Sequence, residues 1–324
     1  MPGPVLLAPD SFKGTFSAME VAAALARGLR ARGQEVVELP VADGGEGTMD
    51  ALLAALGGER RTATVADPLG RPVEAAFGLL PDRSAIVESA QASGLGLVGD
   101  ADRDAWAAST HGTGELIAAA ARDGASPVLV AVGGTASTDG GAGAVAAIDQ
   151  AGVEVELVVL SDVQTPWEDA PRIFGPQKGA APATVARLER RLSELAGRAP
   201  RNPAGVAMTG AGGGLAGGLW AYCGAELVPG ARFVLDAVGF DVTLGGAALC
   251  VTGEGSLDDQ TAAGKVVGEI ATRCIAAGIQ CHAVVGRNQL GPGALGLAGV
   301  VEAQTLEEIE AAGRILATAG GRHS

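Results

Sequence analysis

Aromatic residues make up only 3% of this 324-residue chain, with six Phe, three Trp and one Tyr. Base-stacking readers of nucleic acid need aromatic platforms, so that class is disfavoured. Positive charge is scarce too: 23 Lys and Arg stand against 37 Asp and Glu, for a net charge of −14. The excess of acid argues against nucleic acid and anionic membranes as partners. An anionic substrate must then be met by a few local cations and backbone N–H groups. The four cysteines, Cys223, Cys250, Cys274 and Cys281, include no CxxC pair, which points to packing in a reducing compartment. His111, His282 and His323 form no i, i+4 metal pair. No basic-then-apolar leader opens the chain, and no apolar run approaches the ~20 residues of a membrane span. A cytoplasmic protein is expected.

What the chain has in abundance is glycine, 51 residues with no fixed period. The glycines cluster in loops, where they allow close backbone approach. The first such region runs from Leu6 to Gly47. Val5–Ala8 has the apolar run of a buried strand, and Pro9 ends it. Asp10, Ser11 and Lys13 follow directly: an acceptor, a hydroxyl and a cation. Ser17-Ala18-Met19-Glu20 has capping-box spacing, Val21, Leu25 and Leu29 recur at helical spacing, and Gly33 is placed as the C-cap. A second strand is expected over Val36–Val41, then the loop Asp43-Gly44-Gly45-Glu46-Gly47 and a helix over Thr48–Leu56. In a parallel sheet both polar loops lie at the carboxyl edge, where such sheets bind ligands.

Further on, Thr62–Ala66, Pro72–Leu80 and Ser84–Glu88 read as short strands joined by turns at Asp67–Arg71 and Pro81–Arg83. Val128–Val132 is a strand leading to Gly133-Gly134-Thr135-Ala136-Ser137-Thr138-Asp139-Gly140-Gly141, which opens a helix over Gly141–Gln150. Such a helix start is an anion site by its N–H groups, although no Walker Gly-Lys-Ser/Thr follows. Val155–Leu160 is a strand with Ser161-Asp162 at its end. Thr209-Gly210-Ala211-Gly212-Gly213-Gly214 opens another helix. Ala247–Val251 is a buried strand leading into a loop, Thr252-Gly253-Glu254-Gly255-Ser256-Leu257-Asp258, with Gln260-Thr261 and Gly264-Lys265 behind it. Helix Gly268–Ala277 and a last strand, His282–Val285, complete the pattern, and the tail beyond Gly286 looks short. No Gly-x-Gly-x-x-Gly follows the first strand and no Gly-x-Ser-x-Gly elbow is present, which disfavours a nicotinamide dehydrogenase and a serine hydrolase.

Several Gly-rich loops and a surplus of carboxylates suggest a magnesium–nucleotide site. Phosphoryl transfer needs in-line positioning, neutralised phosphate charge and a group to deprotonate the acceptor. Gly133, Gly134, Thr135, Ser137, Gly210, Gly212, Gly213 and Gly253 are candidate nucleotide contacts, with Lys178 or Lys265 as the cation. Glu254 or Asp258 is the candidate Mg²⁺ ligand. Asp162 is the candidate general base, with Asp139 as runner-up. Asp10, Ser11, Lys13, Asp43, Glu46 and Arg71 are candidate substrate contacts, Lys13 counting also among the catalytic groups.

Ala8–Gly14 with Ser17, and Val41–Thr48, resemble the opening of the bacterial type-1 glycerate kinases. Asp67–Arg71, Glu88-Ser89 with Ser93-Gly94-Leu95, Phe174-Gly175-Pro176-Gln177-Lys178-Gly179 and Thr209–Gly218 continue the resemblance along nearly the whole chain. Departures are Thr138 where Asn is usual, Ser161 where Cys is usual, and a missing segment before Val155. The resemblance implies ATP- and Mg²⁺-dependent phosphorylation of D-glycerate to 2-phosphoglycerate. It also implies a two-domain α/β fold: a doubly wound parallel sheet from residues 1–66 plus 233–324, an inserted mixed α/β domain over 67–232, and a cleft between them. Oligomeric state, monomer or homodimer, stays open. The competing readings are a binding module that has lost catalysis and a kinase for another small hydroxy acid.

Overall fold

All five residues of Val5–Pro9 are buried, the continuous apolar pattern of an interior parallel strand. The computed structural model describes residues 3–258, 265–291 and 293–318. Its strands are β1 (Val5–Pro9), β2 (Val36–Glu38), β3 (Glu59–Ala66), β4 (Pro72–Leu79), β5 (Ala85–Glu88), β6 (Val128–Ala131), β7 (Leu157–Leu160), β8 (Glu226–Val228), β9 (Leu249–Leu257), β10 (Cys281–Asn288) and β11 (Gly299–Glu302). The chain forms two compact units. One comprises Met1–Asp43, Asp50–Ala55 and Ala231–Ser324, and the other Gly44–Met49 and Leu56–Gly230. Residues 56–66, grouped with the first domain on sequence, lie in the second unit, because β3 pairs with β4 in an antiparallel ladder from Glu59↔Leu79 to Ala66↔Pro72.

The first unit carries a five-stranded sheet in the order β11-β10-β9-β1-β2, every pair parallel. From β1 the chain crosses over one way to β2, and β9, β10 and β11 build out the other way. The order therefore reverses at β1 and β9, and a crevice opens outside their carboxyl ends. Helix Ala18–Arg30 begins with the capping box read from the sequence: Glu20 N–H donates to Ser17 Oγ and Ser17 N–H to Glu20 Oε2. Its buried face, with Val21, Leu25 and Leu29, shares a core cluster with Ile309, Ala312 and Leu316 of helix Leu306–Leu316. The cap at its end is Ala31, two residues before Gly33. β2 ends at Glu38, yet Leu39 and Val41 still donate their N–H groups to the carbonyls of Leu7 and Pro9.

Two extents differ from the sequence reading. β9 runs through Thr252–Leu257, so Gly253 and Glu254 lie in a strand and not in a loop. The tail beyond Gly286 is built up: β10 reaches Asn288, and β11 and helix Leu306–Leu316 follow.

The second unit carries a six-stranded sheet in sequential order from β3 to β8, antiparallel as far as β5 and parallel from β5 to β8. Helices His111–Arg122 and Ala142–Ala151 lie in the β5–β6 and β6–β7 crossovers, and Pro182–Arg198 and Leu215–Tyr222 in the longer β7–β8 connection. Its main core gathers Phe77, Leu116, Val130, Val159, Leu215 and Leu219. The α/β class and the doubly wound parallel sheet expected from the sequence are both present.

Candidate active site

The crevice at β1 and β9 is a cavity of about 540 Å³. Four carboxylates (Asp10, Asp43, Glu254, Asp258) and three cations (Lys13, Lys265, Arg287) line it, with Ser11 and Gln304. Asp10 is positioned by strand pairing, since its N–H donates to Gly253 O at 2.8 Å. Its Oδ1 accepts the Ser11 N–H at 2.6 Å. Burial first, and then the Asp43 carboxylate, push the Asp10 carboxyl well above its usual range. Lys13 and the Ser11 N–H oppose this, and Glu254 adds to it. Lys13 Nζ lies 2.5 Å from Asp43 Oδ2, with its side chain 58% exposed. Partial desolvation beside the strand ends works against the Lys13 charge, but Asp43, Asp10 and Glu254 outweigh it and hold the ammonium above its usual range. A mutually repelling set of hard oxygen donors beside one exposed ammonium is suited to a cation together with a small anion. Gly286 lets β9 and β10 close up beside the cavity, because a Cβ there would sit 2.6 Å from Gly255 O.

In the second unit the two Gly-rich loops are tied together. Gly140 N–H donates to Gly213 O at 3.2 Å. Lys178 is buried and donates to Ser137 O at 2.5 Å and Thr135 Oγ1 at 3.0 Å. Burial pulls its ammonium down to about 7, with Asp139 acting the other way. Gly213, at φ +70°, has no room for a side chain: its Cβ would meet Lys178 Nζ at 2.8 Å and Ser137 O closer still. Among the described residues, Ser137 Oγ and Thr138 Oγ1 are buried with no hydrogen-bond partner. Orphaned hydroxyls beside a buried amine fit a site that expects a polar ligand.

A profile of the Glycerate kinase family matches residues 5–153 and 147–319. The chain belongs to the glycerate kinase family. Membership makes it a kinase. It is 36% identical to a glycerate kinase of Halalkalibacterium halodurans (strain C-125) over 333 residues, covering 89% of this chain and 86% of that protein. It is 38% identical to the glycerate 2-kinase of Escherichia coli K12 over 302 residues, covering 81% and 79%. A crystal structure of a candidate glycerate kinase 2 from Salmonella typhimurium LT2 superposes with a TM-score of 0.84 at 32% identity, over 98% of each chain. The two profile matches meet at residues 147–153, just ahead of β7, where the sequence reading finds a segment missing. The match also runs to residue 319, so the family likeness does not fade at Gly286.

Within this kinase fold the expected site residues fall in distinct places. Asp10, Ser11, Lys13, Asp43, Glu254, Asp258 and Lys265 share the first-unit cavity. Gly253 is displaced from the nucleotide set: it lies inside β9, buried, where a Cβ would run into Val284 O of β10. Glu46 lines a separate groove of about 300 Å³ in the second unit, with Glu74, Gln91 and Gly134. Arg71 is held by its own turn, with Nε 2.5 Å from Asp67 Oδ2 and Nη2 on Leu97 O. Asp139 is 1% exposed, and its oxygens accept from the N–H groups of Thr110, Gly141 and Gly143 and from the Thr110 hydroxyl. It clamps the start of helix Ala142–Ala151 and is unsuited to take a substrate proton. Asp162 stands partly buried just past β7. Gln260, Thr261 and Gly264 lie outside the described residues.

Three contributors were given no site role in the sequence reading. Arg287 and Gln304 line the cavity; only the true length of β10 and the presence of β11 bring them there. Glu88 is buried, and its Oε1 accepts the N–H groups of Gly47 and Met49 at 2.9 and 2.8 Å, fixing the loop before helix Thr48–Leu56. Its signal was an acid at the end of an otherwise apolar strand.

Proposed function

We propose that the protein transfers the γ-phosphoryl group of ATP to the 2-hydroxyl of D-glycerate, giving 2-phosphoglycerate, with Mg²⁺ as cofactor. The observation that carries this is the exposed Lys13 ammonium, paired with Asp43 among the carboxylates of Asp10 and Glu254 at the strand-order reversal of a glycerate kinase family fold. Glycerate has one carboxylate and two hydroxyls. Lys13 and Arg287 neutralise the carboxylate. Asp10, Ser11 and Asp43 orient the hydroxyls by accepting from or donating to them. Glu254 and Asp258 are the Mg²⁺ ligands, an assignment supported by their carboxylates lining the same cavity as those of Asp10 and Asp43. When bound, Mg²⁺ neutralises charge developing on the phosphate oxygens. Lys265 adds a cation to the same cavity.

In the second unit, Thr135, Ser137 and Lys178 with the glycines at 133, 134, 210, 212 and 213 make up the nucleotide-contacting set. Orphaned Ser137 and Thr138 hydroxyls support that reading. Asp162 accepts the proton of the attacking hydroxyl; the oxygen bonds to the γ-phosphorus and ADP departs with the bridging oxygen. Purified protein with Mg²⁺–ATP and D-glycerate is assayed for ADP release, and phosphorus NMR identifies the product. A 2-phospho product is expected. A 3-phospho product overturns the regiochemistry, and turnover with other hydroxy acids but not with glycerate overturns the acceptor.

A further inference from the structure

Away from the cavity, the first unit holds a second set of converging side chains. Cys250 in β9, Cys281 in β10 and Cys274 in helix Val266–Ala277 place their Sγ atoms within 4.8 Å of one another, and all three are buried. Cys250 and Cys281 are register partners across the parallel β9–β10 pair. The surrounding cluster is apolar, with Leu6, Ile270, Ala271 and Ala283. Three thiols drawn from three elements form a soft donor set.

The surroundings select the ion. Structural zinc takes four ligands, and no fourth His, Cys or carboxylate joins this group among the described residues. A tris-thiolate of Zn²⁺ or Cu⁺ would also carry net negative charge into an apolar core, which is costly. A trivalent element that is satisfied by three sulfurs leaves a neutral product. We propose that Cys250, Cys274 and Cys281 form a site for a trivalent arsenical. With arsenous acid, three As–S bonds replace three As–O bonds. Each thiol proton leaves with a hydroxide as water, arsenic stays trivalent, and no oxidant is needed.

The same elements reach the cavity at their other ends. β9 carries Glu254, β10 carries Arg287, and Lys265 is the N-cap of the helix. Cross-linking the thiols restrains all three elements, so occupancy lowers turnover without competing with glycerate; this consequence rests on the proposed function, whereas the binding itself does not. The test is arsenite added to the full chain kept reduced with a phosphine. Native mass spectrometry should show one arsenic per chain less three hydrogens, and arsenic X-ray absorption should show three sulfur neighbours. Cys223→Ser, at the half-buried thiol of the second unit, should bind as the parent does. Cys274→Ala should lose at least about tenfold in affinity. No adduct on the native protein, two or fewer sulfur neighbours, dependence on Cys223, or retention of zinc in preference to arsenic would each overturn the proposal. The parent protein alone decides the first two outcomes, whatever the folding of the variant.

Discussion

Replacing Asp139 separates a structural carboxylate from a catalytic one. Oδ2 accepts the Thr110 N–H at 2.8 Å, the Thr110 hydroxyl at 2.9 Å and the Gly143 N–H at 3.2 Å, and Oδ1 accepts the Gly141 N–H at 3.1 Å. Asp139→Ala strands three backbone donors in a buried site. Each costs about 1–3 kcal/mol, less than additively, so a loss of about 3–5 kcal/mol is expected. That is a large part of a typical stability of about 5–15 kcal/mol. Asp139→Asn keeps one oxygen but turns an amide N–H₂ toward groups that themselves donate, for about 1–3 kcal/mol. Urea unfolding followed by tryptophan fluorescence reads the right region, because Trp167 is fully buried in the second unit and bonded to Leu192 O. Turnover per folded molecule is measured beside it. The expected pattern is a lowered midpoint with turnover of the folded Asp139→Asn fraction within about threefold of the parent, short of the ~10²-fold effect of removing a general base. An unchanged midpoint with a loss of ~10²-fold or more would refute the clamp and restore Asp139 as the base.

Asp162→Asn should lower turnover by ~10²-fold or more with ATP binding retained, as read by single-turnover kinetics and calorimetry; full turnover would remove Asp162 from the role of base. Lys13→Ala should raise KM for glycerate by about tenfold or more while KM for ATP changes little, if the ammonium meets the acceptor carboxylate as proposed. Asp10 has a folded-state pKa above its unfolded one, so its stabilising contribution is present at low pH and is lost as pH rises through the folded value. Asp10→Asn should therefore match the parent near about pH 4 and be more stable than it near about pH 8, by urea midpoints; the reverse order would refute this. Lys178, held at about 7 when folded against 10.5 for the free side chain, sheds its proton on folding. Stability should rise with pH across that window, and Lys178→Met should flatten the rise in chemical-denaturation profiles.

Features settled by neighbouring residues were legible in the sequence. The Ser17–Glu20 capping box, the all-buried β1, helix Thr48–Leu56 and the Asp67–Arg71 turn need only local spacing and chemistry. So did the grouping of Asp10, Ser11, Lys13 and Asp43, because two strand ends in one parallel sheet must share an edge. Glycine misled where its reason was distant. Gly253 reads as a loop residue, yet it is a strand residue whose missing side chain makes room for Val284 of β10.

Charge misled in the same way. Arg71 and Asp139 carry the chemistry of a site, but Asp67 takes the first and a ring of N–H groups takes the second. Lys178 reads as an ordinary cation, and only burial among Thr135, Ser137 and Gly213 makes it an amine that titrates near neutrality. By itself, then, the sequence determined most of the element types and, once the family resemblance supplied the parallel sheet, the edge on which the polar loops sit, since these follow from periodicity, caps and strand ends. Only the tertiary structure decided which charged groups stay available, which are consumed as clamps, and that three separated cysteines meet. Those outcomes depend on partners far along the chain and on the water that burial removes.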